Sequence, residues 1–511
     1  MDLKKTHSHD SRAVGRRARA REGATYEKLK RNTSRTMPRA DAAAASLNGF
    51  DYDLFWHVAW SRANRTLAAN ADDTLDELRS NACPRIFVYD LPHPFSDWNP
   101  DGKDATSEAF GKPLRRVGGT QLCDTSGYAF GAMVHYRLWH SSAYRTMDPS
   151  QADLFFVPLL TSPKRLYALG QACAAVRREG VEALEASLPH LNTRTAHRHF
   201  VVLSKEHVSS SEITSHDANC SLWFYRPRGL LQQALRVAYS EHQPASFRSS
   251  AYWPRLSAYP NSSEWEVHGS DFPNLHSMPF PGSIHAMQQE KANASCSTLA
   301  PPQVEVSLPK NEGPLQPWDT SKPRKYAVSF VGTTYHGDKP VRSRMQSQCK
   351  QMGASRCVFK GFGNGAGLGA KHESDFCLEA GGDTPFRKSL ADSIGMGCVP
   401  MLFHPMTDHA NGLLWSKWKE AARVLVPRDA FLEGRLTIRR LVDTCPPGLL
   451  ALYKKTISTN ARRFQISLID DPGDAVHMML TGLTEIAAVA ESHHQRAYFS
   501  ELPNVRSTAN S

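Results

Sequence analysis

Residues 374–400 read SDFCLEAGGDTPFRKSLADSIGMGCVP, and they decide the fold. Ser374 to Leu378 is a short apolar run of the kind that forms a buried strand, closed by Gly381 and Gly382. Asp383, Thr384 and Pro385 then open a helix expected to run to Met396. Proline suits a first helical turn, and Asp or Thr ahead of it can cap the exposed amides. Arg387 and Lys388 fall in that turn. Free N–H groups, the positive end of the helix dipole and two cations together make an anion site sized for a diphosphate. The plainer alternative is an ordinary capped helix in a strand-loop-helix unit.

The same pattern extends to both sides. Upstream, Tyr326 to Val331 (YAVSFV) is a strand running into Gly332, followed by a helix from Val341 to Met352 that carries Arg342 and Arg344. Downstream, Val399 to Phe403 and Val424 to Val426 are further strands. In an open α/β sheet the ligand crevice lies outside the carboxyl ends of the strands, so Gly332, Gly382 and Arg342 belong to the same edge as Arg387. The glycine-rich stretch from Gly361 to Gly369 reads as a loop.

A second set of such units precedes these. Arg85 to Tyr89 (RIFVY), Asp153 to Pro158 (DLFFVP) and His199 to Ser204 (HFVVLS) read as buried strands, with a helix from Tyr128 to Tyr144 between the first two. Strands alternating with helices imply βαβ units and parallel, doubly wound sheets. A Pro-rich polar stretch over residues 296–323 separates the two sets. The expected organisation is a basic tail and stem over 1–80, a first Rossmann-like lobe over 81–310, a second Rossmann-like lobe over 311–470, and a helical segment and tail over 471–511. A short helix is expected at Thr74 to Arg79 within the stem.

The net charge of +11 is concentrated at one end: residues 1–40 hold 12 Lys and Arg against 4 Asp and Glu, leaving about +3 for the rest. A basic tail without interleaved aromatics or apolar periodicity reads as a solvated arm, and nucleic-acid binding is not expected. Ten cysteines form no CxxC pair, which disfavours a structural zinc site and favours disulfides. Sequons at Asn32, Asn64, Asn219, Asn261 and Asn293 agree with a secretory lumen. Against that, no run of about 18 apolar residues marks a membrane helix or signal core.

The blocks fall in the order of a known family. RIFVYDLPHPF (85–95), YRTMDPSQADLFFVP (144–158), HFVVLSKEH (199–207), MPFP (278–281), SFVGTTYHGDKPVRSRM (329–345) and FCLEAGGDTPFRKSLADSIGMGCVP (376–400) resemble successive motifs of the exostosin-like glycosyltransferases, family 47. The resemblance covers about residues 83–430. It implies a GT-B architecture, two Rossmann-like lobes facing a cleft, and an inverting glycosyltransferase acting from a UDP- or GDP-sugar onto a glycan acceptor in the Golgi or another secretory lumen. It also implies no metal, because basic side chains and helix dipoles offset the leaving diphosphate. The early DxD, Asp51 and Asp53, lies outside the recognised blocks and is not read as a metal site.

On this reading Gly332, Arg342, Gly382, Asp383, Thr384, Arg387 and Lys388 bind the donor, with Asp383 or Thr384 also meeting sugar hydroxyls. An inverting transfer needs a base from the first lobe. Glu206, matching the Asp of the family's Ser-His-Asp turn, is the first candidate, and His135, Asp90 and His207 follow. Two departures stand out: Ala196, His197, Arg198 and His199 replace the family's Gly-Arg-Asp-His, and Gly131 stands where relatives often carry Glu. Lost acids in the first lobe suit an alternative, an inactive scaffold or oligomeric partner of an active glycosyltransferase.

Overall fold

The computed structural model describes residues 45–46, 49–70, 83–161, 181–204, 230–239, 275–285, 322–361 and 366–501, apart from 94, 97, 118–119, 160, 335–337, 382–386, 405–406, 409, 469 and 472. The fold begins earlier than a stem through residue 80 would allow. Helix α1, Tyr52–Ala69, starts where the Asp51 carboxylate accepts the Leu54 amide at 2.9 Å. Tyr52, Trp56 and Ala63 form its buried stripe. That stripe docks on the second lobe: Trp56 Nε1 donates to Thr444 Oγ1 at 3.1 Å, the Thr437 amide donates to the Tyr52 hydroxyl at 2.9 Å, and Arg440 lies over the Tyr52 ring. Asp51 is therefore a helix cap, and Asp53 sits in the first turn, where a negative charge favours the dipole. The expected helix at Thr74 to Arg79 lies outside the described residues.

The first lobe is a parallel sheet of β1 (Ile86–Val88), β2 (Arg145–Thr146), β3 (Leu154–Phe156), β4 (His199–Val202), β5 (Leu235–Ala238) and β6 (Leu275–Ser277), with α2 (Phe130–His140) following β1. Its spatial order is β6-β5-β4-β3-β1-β2. Register pairs Phe87 with Phe155, Phe155 with His199, and Phe200 with Leu235. The near-continuous apolar runs of β3 and β4 are what a sheet covered on both faces requires.

The second lobe repeats the plan with β7 (Tyr326–Val331), α3 (Lys339–Met352), β8 (Cys357–Lys360), α4 (Ala366–His372), β9 (Ser374–Glu379), α5 (Lys388–Gly395), β10 (Val399–Leu402) and β11 (Val424–Leu425). These strands are parallel in the order β8-β7-β9-β10-β11. The two lobes are thus Rossmann-like halves of a GT-B arrangement. Disulfides join Cys349 to Cys357 and Cys377 to Cys398, tying α3 to β8 and β9 to the start of β10; Cys83 is disulfide-bonded as well, while Cys123 and Cys445 are free.

Several expectations need correction. The glycine-rich stretch is not all loop: α4 begins at Ala366, where Gly367 packs against Val331. The strands β2, β5, β6 and β8 are short or carry a polar residue, such as Arg236 in β5 and His276 in β6, and their sequences lack a clean apolar run. The C-terminal segment packs on both lobes. Helix α6, Ala475–Glu501, contacts Ala196–Arg198 in the first lobe and Gly412–Trp415 in the second. Just ahead of it, buried Asp474 pairs with buried Arg137 of α2, and the Tyr144 hydroxyl meets His477 Nδ1 at 2.9 Å. No helix among the described residues is long and apolar enough to cross a membrane.

Candidate functional site

Between the lobes lies a cavity of about 130 Å³. Its second-lobe wall is Phe330, Val331, Arg342, Leu378, Glu379, Ala380, Arg387, Lys388 and Ser389; its first-lobe wall is Gly127, Tyr128 and Phe280. The volume within the described walls is below the roughly 300–1,000 Å³ of sites for larger ligands. The sheet-edge argument placed the crevice here: β7 and β9 both end in this wall.

Helix α5 begins at Lys388, three residues later than the expected start at Pro385. Arg387 is the residue at its N-cap, in an extended conformation (φ −148°, ψ 138°), and its side chain makes no capping hydrogen bond. Gly382, Asp383 and Thr384 lie outside the described residues. Arg387 Nε is buried and has no hydrogen-bond partner among the described residues. A buried unmatched donor costs free energy comparable to a lost hydrogen bond.

Lys388 lines the same cavity but is already engaged. Its Nζ donates to Ser283 Oγ at 2.7 Å and lies 3.4 Å from both Asp392 carboxylate oxygens, while Asp392 Oδ1 accepts the Ser283 amide at 2.8 Å. Lys388 and Asp392 therefore latch the two lobes together. Arg342 also lines the cavity, yet its donors go to backbone: Nε to Gly381 O at 2.7 Å, Nη1 to Thr333 O at 2.6 Å and Nη2 to Ala380 O at 3.4 Å. It braces the loops that follow β7 and β9, and it contributes charge more than free donors. Gly332 makes that possible, since a Cβ there would stand 3.2 Å from Arg342 Nη1 and 3.4 Å from Phe330 Cζ.

Beneath the cations runs a buried network. Lys371 Nζ donates to Glu379 Oε1 at 2.7 Å, Ser389 Oγ at 2.9 Å, Ser389 O at 3.1 Å and Ser393 Oγ at 2.5 Å, and Ser393 Oγ also donates to Glu379 Oε1 at 2.5 Å. Lys371 and Glu379 are each about 3% exposed. Their charges cancel locally, and the bonds fix the first two turns of α5 against the end of β9. Sequence reasoning missed this network and Asp392. The signals available were an acid at the strand end and an i,i+4 spacing from Lys388.

The first-lobe candidates are scattered. Glu206 and His207 lie outside the described residues. His135 is a core residue rather than a cleft group: it is 3% exposed, its ring packs edge-on against Trp98, Trp139 and Phe156, and its Nδ1 shares a 2.8 Å hydrogen bond with Thr161 Oγ1. Burial above all, with the nearby Arg145 and His140 charges, pushes its pKa down to about 3. Asp90 is exposed just past β1, and neither it nor His135 lines the cavity. At Gly131 the amide donates to Ser204 Oγ at 2.7 Å, and a Cβ would come within 2.9 Å of that oxygen, so the hydroxyl fills the space a longer side chain needs. The aromatic wall was legible only as the proline step MPFP. Phe280 stacks on Tyr239 with centroids 4.0 Å apart, and Tyr128 meets Phe280 edge-on at 6.4 Å.

Comparison with known proteins points to one family. Residues 80–433 match the Exostosin GT47 domain. "Probable xyloglucan galactosyltransferase GT20" of Arabidopsis thaliana is 25% identical over 381 residues, covering 70% of this chain and 58% of its own length. "Probable xyloglucan galactosyltransferase GT17" of the same plant is 23% identical over 354 residues, 63% of this chain and 65% of its own length. "Xyloglucan-specific galacturonosyltransferase 1", also from Arabidopsis thaliana, is 31% identical over 117 residues, 21% of this chain and 18% of its own length. The chain thus spans less than two thirds of each of these relatives. Among solved structures, the pneumococcal O-GlcNAc transferase GtfA in complex with UDP and GlcNAc aligns at a TM-score of 0.31 and 11% identity, covering 60% of each chain. With the family's domain matched over most of the length and both parallel lobes in place, the chain belongs to the exostosin family, glycosyltransferase family 47.

Proposed function

We propose that this protein is an inverting glycosyltransferase that moves a sugar from a UDP- or GDP-sugar to a glycan acceptor without a metal ion. The observation that carries the reading is Arg387: a buried guanidinium Nε without a described partner, at the start of helix α5, in the wall of the inter-lobe cavity. As the glycosidic bond breaks, negative charge builds on the diphosphate. Arg387 and the first-turn amides of α5 donate to it, and they are already oriented before the reaction, which is where such stabilisation is most effective. The acceptor hydroxyl attacks the anomeric carbon from the first-lobe side while Glu206 takes its proton. Galactosyl transfer onto xyloglucan is the first chemistry to try, because the curated relatives carry that name. The disulfides suit an oxidising secretory compartment such as the Golgi lumen.

One observation favours the scaffold reading: the described first-lobe wall of the cavity holds no carboxylate or imidazole. A single experiment addresses both. Nucleotide sugars are screened by thermal shift and then assayed for transfer with EDTA present. Donor-dependent stabilisation with EDTA-resistant turnover is expected, and Arg387→Ala should weaken UDP or GDP binding by about ten- to a hundredfold, the worth of a charged hydrogen bond. Stabilisation without turnover would support the scaffold, and unchanged nucleotide affinity in Arg387→Ala would remove the diphosphate assignment.

A further inference from the structure

The two walls of the cavity differ in chemistry. The second lobe contributes Arg342, Arg387, Lys388, Glu379 and the start of helix α5. The first lobe contributes two aromatic rings and a glycine. Resting on the transferase reading above, we propose that Tyr128 and Phe280 form a stacking platform for a pyranose ring of the acceptor glycan, and so help to set acceptor specificity.

Three features support the assignment. The first is rigidity. Phe280 is 5% exposed and backed by Tyr239, itself 1% exposed, with ring planes only 19° apart at 4.0 Å. Tyr128 holds its edge against Phe280, and the Tyr128 amide is fixed by Ser126 Oγ at 3.2 Å. A rigid ring loses little conformational entropy when a ligand stacks on it. The second is access from the cavity: Tyr128 and Phe280 both line it, and a Cβ on the neighbouring Gly127 would lie 3.5 Å from Phe280 Cδ1 and 3.9 Å from Cε1, so glycine keeps a side chain off that part of the wall. The third is position. Phe280 stands three residues before Ser283, whose amide and hydroxyl are held by Asp392 and Lys388 of α5. The platform is therefore pinned to the same helix start that faces the leaving diphosphate.

An aromatic wall could also serve the nucleobase, and the layout argues against that. The base, ribose and diphosphate of one donor are expected along one sheet edge. The second lobe supplies its own apolar floor there, in Phe330, Val331, Leu378 and Ala380. The first-lobe rings are left for the second substrate. Sugar rings present an apolar face of C–H groups with hydroxyls at the rim, and that face matches an aromatic surface carrying no charge.

The test compares two ligands on the full chain: UDP, and a xyloglucan heptasaccharide. Binding is read by titration calorimetry and by saturation-transfer NMR, each ligand alone and both together. The variants are Phe280→Leu, which keeps apolar volume beside Tyr239, and Tyr128→Ala, at a half-buried position; melting temperatures confirm that both fold. The expected result is a five- to tenfold loss, or about that, of heptasaccharide affinity in both variants with UDP affinity within about twofold of wild type. Parallel loss of UDP affinity would reassign the wall to the nucleobase and overturn the proposal. So would unchanged heptasaccharide affinity in both variants, or a wild-type protein that binds UDP but neither the heptasaccharide nor cellohexaose. If wild type fails to bind UDP or GDP yet binds heptasaccharide through these rings, the platform stands and the transfer reading falls.

Discussion

The two lobes share a plan and handle polar groups in opposite ways. Among its buried histidines the first lobe keeps His135, His199, His276 and His285 neutral. The second buries charged groups and pairs them: Lys371 with Glu379, Arg423 with Asp408, and Asp338 with the partly buried Arg428. Neutral imidazoles cost little to bury once hydrogen-bonded, as His199 is to the Tyr89 hydroxyl at 2.8 Å and to Thr195 O at 2.8 Å, whereas buried charges need every partner in place. The lobe assigned to an anionic donor pairs its buried charges within itself, with Glu379 in the cavity wall. In the lobe assigned to a neutral glycan, buried Arg137 takes its partners, Asp470 and Asp474, from the C-terminal part of the chain.

Acid should break that symmetry with the largest effect. Burial lowers the pKa to about 3 for His135 and to about 4 for His199, His276 and His285. A histidine whose folded pKa lies below the usual value near 6.5 binds protons more readily in the unfolded chain. Its contribution to stability is complete above about pH 6.5 and is lost as the pH falls toward the folded value, at up to about 1.4 kcal/mol per pH unit for each ring. In the second lobe, half-buried His372 is shifted the same way by burial and by Arg324. Hydrogen exchange, corrected for intrinsic rates, should show β1 and β3 to β6 losing protection between pH 6.5 and 4.5 before β7, β9 and β10. Simultaneous opening of both sheets, or opening of the second first, would break the contrast.

The buried pair sets the next effect. Lys371→Met leaves the Glu379 carboxylate enclosed without its cation, a change expected to cost about 3–5 kcal/mol, whereas Lys371→Met with Glu379→Leu should recover most of it. Urea unfolding of the two single variants and the double variant measures the coupling. Because Lys371 also holds Ser389 and Ser393, the single variant should weaken UDP binding as α5 loosens. A Lys371→Met loss below about 1 kcal/mol would mean that water already reaches the pair.

What the sequence disclosed follows the same division. The strand ends at Val331 and Leu378, the cations at 387 and 388, and the parallel two-lobed plan were legible, because apolar runs and strand-loop-helix punctuation are local signals. The roles inside the site were less so. Arg342 and Lys388 look alike as residues near helix starts, and only the folded chain shows one spent on three carbonyls and the other on a latch to Ser283. The pairing of Lys371 with Glu379 joins a short helix to a strand end across residues that read as loop and strand. The aromatic wall unites Tyr128 and Phe280, 152 positions apart, and no local pattern announces such a meeting.

The smallest expected effect concerns α1, where a short acidic motif invites a metal reading and the structure supplies a mechanical one. Asp51 accepts the Leu54 amide, and Asp53 lies exposed one turn into the dipole. If the motif is a cap, Asp51→Ala should lower stability by about 1 kcal/mol, and Asp53→Ala by a few tenths, about 0.3–0.5 kcal/mol. Asp51→Asn should be nearly neutral, since an amide oxygen caps as well as a carboxylate. A metal site would rank the variants otherwise: Asp51→Asn would fail alongside Asp51→Ala and Asp53→Ala, and added Mn²⁺ would stabilise wild type alone. Thermal melts of the four proteins with and without Mn²⁺ separate the two. Because Trp56 and Tyr52 of this helix are buried against the second lobe, a cap effect should appear in the global transition and not as fraying at one end.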